Sequence, residues 1–453
     1  LSRRPRGGEP LDPRAVAAEI LRRVDTAGAF AAPLLEERER RFRDRRDAAL
    51  LHELVLGTLR RRSALDHAIA RVSNRPLEAI DPEVLRVLRL GAYEILLLDR
   101  IPGYASVDEA VESTKRRAGR AAAAFANGVL RAVSREGRAL LPPEPREGDV
   151  AGLALAGSHP EWWVARLVER VGWDAAVAIV ENANRPAATV LRARTGADLA
   201  RRLAEEGIGT EPGRYDPRAL RVEGASISSS PAFRSDSWVQ DEASQLVPAL
   251  LGDLGPGPVL DACAAPGGKT CWLADALGGR GEVVSVDRNP ARLGRLLRAT
   301  RRLRFERVFA VAADLTRPPP FSCTFPRVLV DAPCSGTGTM GRRPEIRWRL
   351  REGDLASLAA RQAAILARVA PLVAKGGVLV YAVCSIEPEE GEDVVRSFLS
   401  NHPEFALDDP APRLPEPARR FVGDDRIVRT VSGEGGLDGF QAVRLVRRYD
   451  ARP

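Results

Sequence analysis

Residues 258–270 read PVLDACAAPGGKT: an aliphatic run ends on Asp261, the chain turns through Pro266 and a glycine pair, and CWLADAL follows with helical spacing. The pattern predicts a strand, a tight turn and a helix opening directly from it. Several chemistries use such a turn. A phosphate-binding loop ending in GKT needs glycine five places before Gly268, where Cys263 stands, so the match is partial. A dinucleotide fingerprint needs GxGxxG, which the stretch lacks. What remains is a turn in which Pro266 fixes the backbone and Gly267 and Gly268 let it approach a ligand closely. Cys263, Ala264, Ala265, Pro266, Gly267, Gly268 and Lys269 are therefore the candidate cofactor loop.

Downstream, short apolar runs alternate with amphipathic segments: GEVVSVDR, PARLGRLLRATRRL, RVFAVAADL, RVLVDAP, LASLAARQAAILARVAPLV and GVLVYAVCS. Over 236–453 this alternation predicts an α/β domain with a mostly parallel sheet covered by helices on both faces. Ligands of such sheets collect at the carboxyl ends of the strands. Asp287, Asp314 and Asp331 each end an apolar run, so they belong at that edge. A carboxylate after the second strand can accept both ribose hydroxyls, and one after the third can receive an adenine amino group. An adenosine without a diphosphate fits, and so does S-adenosylmethionine, because its cationic sulfur would tolerate nearby carboxylates. Lys269 would then pair with its methionine carboxylate.

Upstream, residues 14–140 carry apolar positions at three- and four-residue spacing throughout, as in LLHELVLGTLRRRSALDHAIARV, and predict an all-α bundle. Residues 1–13 read as a flexible tail without an apolar stretch, and 141–155 contain the proline-rich linker LLPPEPREGD. Residues 156–235 mix EWWVARLVERVG, TVLRART and DLARRLAEEG, which suggests a small α+β connector. The chain of 453 residues is thus expected to be multidomain.

Composition narrows the classes. With 44% hydrophobic and 29% charged residues, and no apolar run approaching the roughly 20 residues of a membrane span, a soluble protein without a membrane partner is expected. Five cysteines without dense spacing fit a reducing compartment, so the cytoplasm is the expected location. His52, His67, His159 and His402 are scattered and form no metal-ligand spacing with cysteine, so no metal is expected. The net charge of +8 favours a polyanionic partner, although only Lys115, Lys269 and Lys375 are lysines and an arginine bias has other origins.

Two of the cysteines end apolar runs and are each followed by serine: Cys334 in VDAPCSGTGTMGRRPEIRW (330–348) and Cys384 in VYAVCSIEPEEGEDVV (380–395). Together with DACAAPGGKT and DGFQAVRLVRR (438–448), these stretches resemble the motifs of bacterial RNA cytosine-5 methyltransferases of the RsmB/Sun type. FANGVLRAV (125–133), in the helical stretch, resembles the antitermination factor NusB, whose fold that family carries as an RNA-binding extension. Two positions depart from the family's pattern: Val383 stands where threonine is common, and Gln441 where an aromatic often follows Phe440.

The resemblance implies a NusB-like helical domain, a connector and a Rossmann-like class I methyltransferase domain that uses S-adenosylmethionine. It implies RNA as partner, 16S ribosomal RNA first, with transfer RNA or a non-catalytic ribosome-assembly role as alternatives. It also implies roles for the thiols. Carbon 5 of cytosine is a poor nucleophile until a thiolate adds at carbon 6. By the family's pattern Cys384 is that nucleophile, Cys334 assists release, and Asp331 hydrogen-bonds the cytosine edge close to the cofactor. DNA cytosine methyltransferases attack with the cysteine of a Pro-Cys pair, which would nominate Cys334 instead. Cys263, Cys271 and Cys323 are expected to be inert. Lys115, Arg116 and Arg117 of KRRAGR, and Arg342, Arg343 and Arg347 of GRRPEIRW, are the candidate RNA contacts, with Trp348 either stacking or packing.

Overall fold

The computed structural model describes residues 11–98, 103–194, 196–222, 227, 230–433 and 436–449. Contacts divide the chain into two units, Leu1–Arg185 with Arg342–Arg349, and Pro186–Gly341 with Leu350–Pro453. The division falls at Arg185, inside the stretch 156–235, and the helices Glu161–Val171 and Trp173–Asn184 belong to the first unit.

The first unit is helical. Asp12 accepts hydrogen bonds from the backbone N–H groups of Arg14 and Ala15, and Pro13 occupies the first turn, so the helix Pro13–Ala27 starts inside the stretch expected to be tail. Asp81 and Pro82 repeat the device for the helix Pro82–Leu97. That helix packs against Arg45–Arg60 at Gly57, where a Cβ would lie 2.0 Å from Tyr93 Cζ. Only glycine admits so close an approach. Leu51, Leu54, Leu65, Ile69 and Leu88 fill the core without exposure. The segment Arg342–Arg349 is part of this unit: Glu345 accepts from Ala31 N at 2.9 Å, and Trp348 Nε1 donates to Leu59 O at 2.9 Å.

Among the described residues the second unit holds twelve strands: β1 (Thr189–Ala193), β2 (Thr210–Pro212), β3 (Ala219–Val222), β4 (Ser237–Val239), β5 (Val259–Ala262), β6 (Val283–Asp287), β7 (Val308–Ala312), β8 (Phe325–Asp331), β9 (Val373–Val383), β10 (Phe405–Leu407), β11 (Val428–Thr430) and β12 (Phe440–Arg447). β1 to β4 make an antiparallel sheet in the order β2-β3-β1-β4. The larger sheet runs β10-β12-β9-β8-β5-β6-β7, with β11 on β12. β5 to β9 are parallel and β10, β11 and β12 antiparallel, a mixed Rossmann-like sheet.

Both faces of this sheet are buried, as parallel strands require. Leu329, Val378, Val380 and Ala382 pack on one side with Leu273 and Leu277. Val328, Val330, Leu379, Tyr381 and Val383 pack on the other with Ile365, Leu366 and Val369. The last three lie on the helix Asp354–Val369. Contrary to the expectation that no such run exists, Asp354–Leu372 is long and apolar enough to cross a bilayer by length and composition. Its apolar residues instead cover the sheet.

Candidate active site

The site forms where β5, β8 and β9 end side by side. Ala262 of β5 is in register with Val330 of β8, and Asp331 of β8 with Ala382 of β9. Ala332 N donates to Ala382 O at 2.9 Å, which extends the ladder one step further. β5 lies between β6 and β8, so the sheet's order reverses here and the strand ends leave a crevice.

After β5 the chain turns with Cys263 at φ +65° and Gly267 at φ +112°. A Cβ on Gly267 would lie 2.8 Å from Leu296 Cγ and 3.1 Å from its Cα, so the turn passes too close to the helix Pro290–Arg302 for any other residue. Ala264 N donates to Val286 O at 2.8 Å, and Arg292 donates to Ala265 O. Burial, reinforced by nearby carboxylates, pushes the Cys263 thiol far above its ordinary range, and burial pushes Cys271 up to about 12. Both therefore stay protonated.

Asp261 is fully buried. Its Oδ2 accepts from Thr270 Oγ1 at 2.6 Å, while Oδ1 has no hydrogen-bond partner. Burial raises its carboxyl to about 7 against the bond from Thr270, which acts to lower it. Asp287 accepts from Asn289 N at 2.8 Å and lies 3.6 Å from Arg292. Asp314 accepts from the backbone and hydroxyl of Thr316 at 3.0 and 2.8 Å, and those two bonds lower its carboxyl's pKa. Three strand ends thus present acceptors, and a buried acceptor beside the cofactor loop lacks a donor. This donor-poor, acidic set suits a cationic ligand with an adenosine moiety, and the residues fit S-adenosylmethionine.

Lys269 has a partner within the protein. Its ammonium is buried, donates to Asp331 Oδ2 at 2.7 Å and sits 5.1 Å from the centre of the Phe440 ring. The partner within the protein is Asp331, and the aromatic face adds a cation–π contact.

Cys334 and Cys384 come together, with their Sγ atoms 3.3 Å apart. The hydrogen bond with Cys384, then burial, and then the charges of Cys384, Glu390 and Asp331 all raise the Cys334 pKa. At this separation either sulfur can donate to the other, so the pair can share one proton.

Behind the thiols lies a polar network that the sequence did not announce. Glu390 accepts from Ser335 N and Gln362 Nε2 at 2.8 and 2.9 Å and from the Ser335 hydroxyl. Ser335 reaches Ser385 at 3.1 Å, and Ser385 reaches Thr337 at 3.2 Å. The serine after each cysteine was the one visible signal, because it links the two loops directly.

The basic candidates separate. Arg347 is a correction: it is 1% exposed and donates to Arg60 O, Ser158 O, Asn184 Oδ1 and Ala183 O at 2.7 to 3.2 Å. A guanidinium spent on buried carbonyls cannot reach a phosphate. Trp348 packs, with Arg62 5.5 Å from its ring centre. Arg343 is exposed and Arg342 half-buried. Lys115 is exposed, 3.4 Å from Glu112, and the side chains of Arg116 and Arg117 lie outside the described residues. Among the described residues no cluster of histidine, cysteine and carboxylate side chains forms a metal site.

Family models match three parts of the chain: NusB over residues 11–135, the ferredoxin-like domain of RsmF/B-like methyltransferases over 159–228, and 16S rRNA methyltransferase RsmB/F over 254–446. The probable ribosomal RNA small subunit methyltransferase B of Bacillus subtilis is 35% identical across 94% of this chain and 97% of its own length. Ribosomal RNA small subunit methyltransferase B of Thermus thermophilus is 38% identical across 96% and 98%. The crystal structure of PH0851 superposes with a TM-score of 0.82 at 24% identity, covering 96% of this chain and 99% of that one. NSun6 from Pyrococcus horikoshii, crystallised with SFG, an S-adenosylmethionine analogue, gives 0.57 at 19% identity, covering 64% and 99%.

Proposed function

The chain belongs to the RsmB/F family of 16S rRNA methyltransferases, and from that premise we propose that it methylates carbon 5 of a cytosine in small-subunit ribosomal RNA through a covalent bond between Cys384 and the base. The observation that carries this reading is the thiol pair, 3.3 Å apart at the ends of adjacent strands, beside the Lys269–Asp331 ion pair. The relatives' names supply the RNA, and the match to the NusB family supports a helical unit that binds it. A ribosomal RNA substrate and thiols that must stay reduced to act support a cytoplasmic location.

S-adenosylmethionine supplies an electrophilic methyl group on a cationic sulfur; the cofactor loop, Asp287 and Asp314 would hold it. Cys384 as thiolate adds to carbon 6, and the electron pair released onto carbon 5 takes the methyl. Asp331, oriented by Lys269, hydrogen-bonds the cytosine edge and favours that shift of electrons. The proton at carbon 5 then passes to a base or to solvent in the crevice, and its electron pair reforms the ring double bond as the carbon–sulfur bond to Cys384 breaks and returns that thiol as thiolate. Cys334 is the group next to that bond. Its sulfur, 3.3 Å from that of Cys384, is placed to assist the release. The target base must leave its stack to reach between the thiols, which costs least in a loop.

Labelled S-adenosylmethionine with small-subunit rRNA and with transfer RNA tests the substrate. Label confined to 5-methylcytosine in the rRNA is expected; label in transfer RNA alone, or on another base, would overturn it.

A further inference from the structure

Gln441 stands opposite Val383 in the β9–β12 ladder, so its Cα partner is the residue immediately before Cys384. The side chain is 6% exposed, and Nε2 donates to Ser385 O at 3.1 Å and to Glu387 O at 2.9 Å. Those carbonyls belong to the turn that carries the chain away from Cys384. The ladder therefore fixes the backbone before the thiol, and the Gln441 amide holds two carbonyls of the backbone after it, beside Thr337 Oγ1, which accepts from Ile386 N at 3.1 Å. Gly338 N adds a bond to the carbonyl of Cys384 itself at 3.2 Å. The fold makes room for this amide: a Cβ on Gly391 would lie 2.0 Å from Gln441 Oε1.

A hydrocarbon ring at 441 could not donate to either carbonyl, and a threonine at 383 would bring its own hydroxyl. The two departures from the family's pattern thus face each other across one register position. We propose that Gln441 is a positioning residue for Cys384, holding the turn after the thiol through Ser385 O and Glu387 O; this rests on Cys384 being the nucleophile. Misplacing an attacking atom by a fraction of its reach slows attack without weakening RNA binding elsewhere.

The rate of covalent RNA adduct formation in a Cys334→Ala background measures attack alone. Gln441→Met keeps the side chain's length and removes both donors, and Gln441→Glu turns a carboxylate oxygen toward the carbonyls. Adding either change to Cys334→Ala should slow adduct formation roughly tenfold or more with RNA affinity unchanged. A rate equal to that of Cys334→Ala in Gln441→Met would overturn the proposal, and if that variant fails to fold, the Gln441→Glu rate decides in the same way. Absence of adduct in Cys334→Ala itself would instead overturn the nucleophile assignment, and this proposal with it, before Gln441 is touched.

Discussion

Lys269 and Asp331 lie 62 residues apart in the chain and form a 2.7 Å ion pair, one from the helix after β5 and the other from the end of β8. The lysine is almost wholly buried while the carboxylate keeps about a third of its exposure, so the pair turns one charged face toward the crevice. Two groups that act as one unit in catalysis should fail as one unit.

Asp331→Asn should lower the single-turnover methylation rate by about a hundredfold or more, in the range of a lost acid–base group. Lys269→Met should cost at least roughly tenfold, because Asp331 loses the partner that orients it. The double variant should be little worse than Asp331→Asn alone, a non-additivity that a double-mutant cycle of rates reads directly. Fully additive losses would show that Lys269 acts elsewhere.

Asp261 gives a pH signature. Its carboxyl is raised from 3.8 to about 7, so the folded chain holds that proton more tightly than the unfolded chain. The resulting stability is complete below pH 3.8 and is lost as pH rises through about 7. Asp261→Asn removes the titration. Urea unfolding should then show the parent losing up to about 4 kcal/mol relative to the variant between acidic and mildly alkaline pH. Parallel pH profiles would contradict this.

Arg347 and Arg343 should separate by their readouts. Arg347→Ala deletes the four buried hydrogen bonds named above and should lower stability by about 3 kcal/mol or more. Arg343→Ala, at an exposed position, should leave the melting temperature nearly unchanged. If Arg343 meets a phosphate, its loss lowers the salt slope of RNA binding by about one unit. Unchanged stability in Arg347→Ala would count against its buried role.

Much of the site was legible because its signals are local. A strand ending in aspartate, a proline–glycine turn and a cysteine–serine pair after an apolar run each fit within a dozen residues, and β5, β8 and β9 follow from their alternation with helices. What periodicity does not carry is the identity of the partner. GRRPEIRW reads as a basic loop beside the active site, yet its Arg347 is consumed by carbonyls nearly 300 positions earlier and by Asn184. Lys269 looked free for a ligand because its carboxylate lies on another strand. Nothing in IEPEEGED singles out Glu390, since only the fold brings Ser335 and Gln362 to it. The apolar run ending at Leu372 reads the same whether lipid or a sheet covers it.

The division of labour between the thiols is tested most directly by mixing substrate RNA and S-adenosylmethionine with Cys334→Ala and with Cys384→Ala, then resolving the products under denaturing conditions. The Cys334→Ala protein should migrate as a stable protein–RNA conjugate, and the Cys384→Ala protein should form none and transfer no methyl group. A conjugate appearing only in Cys384→Ala would mean that sulfur 334 attacks the base.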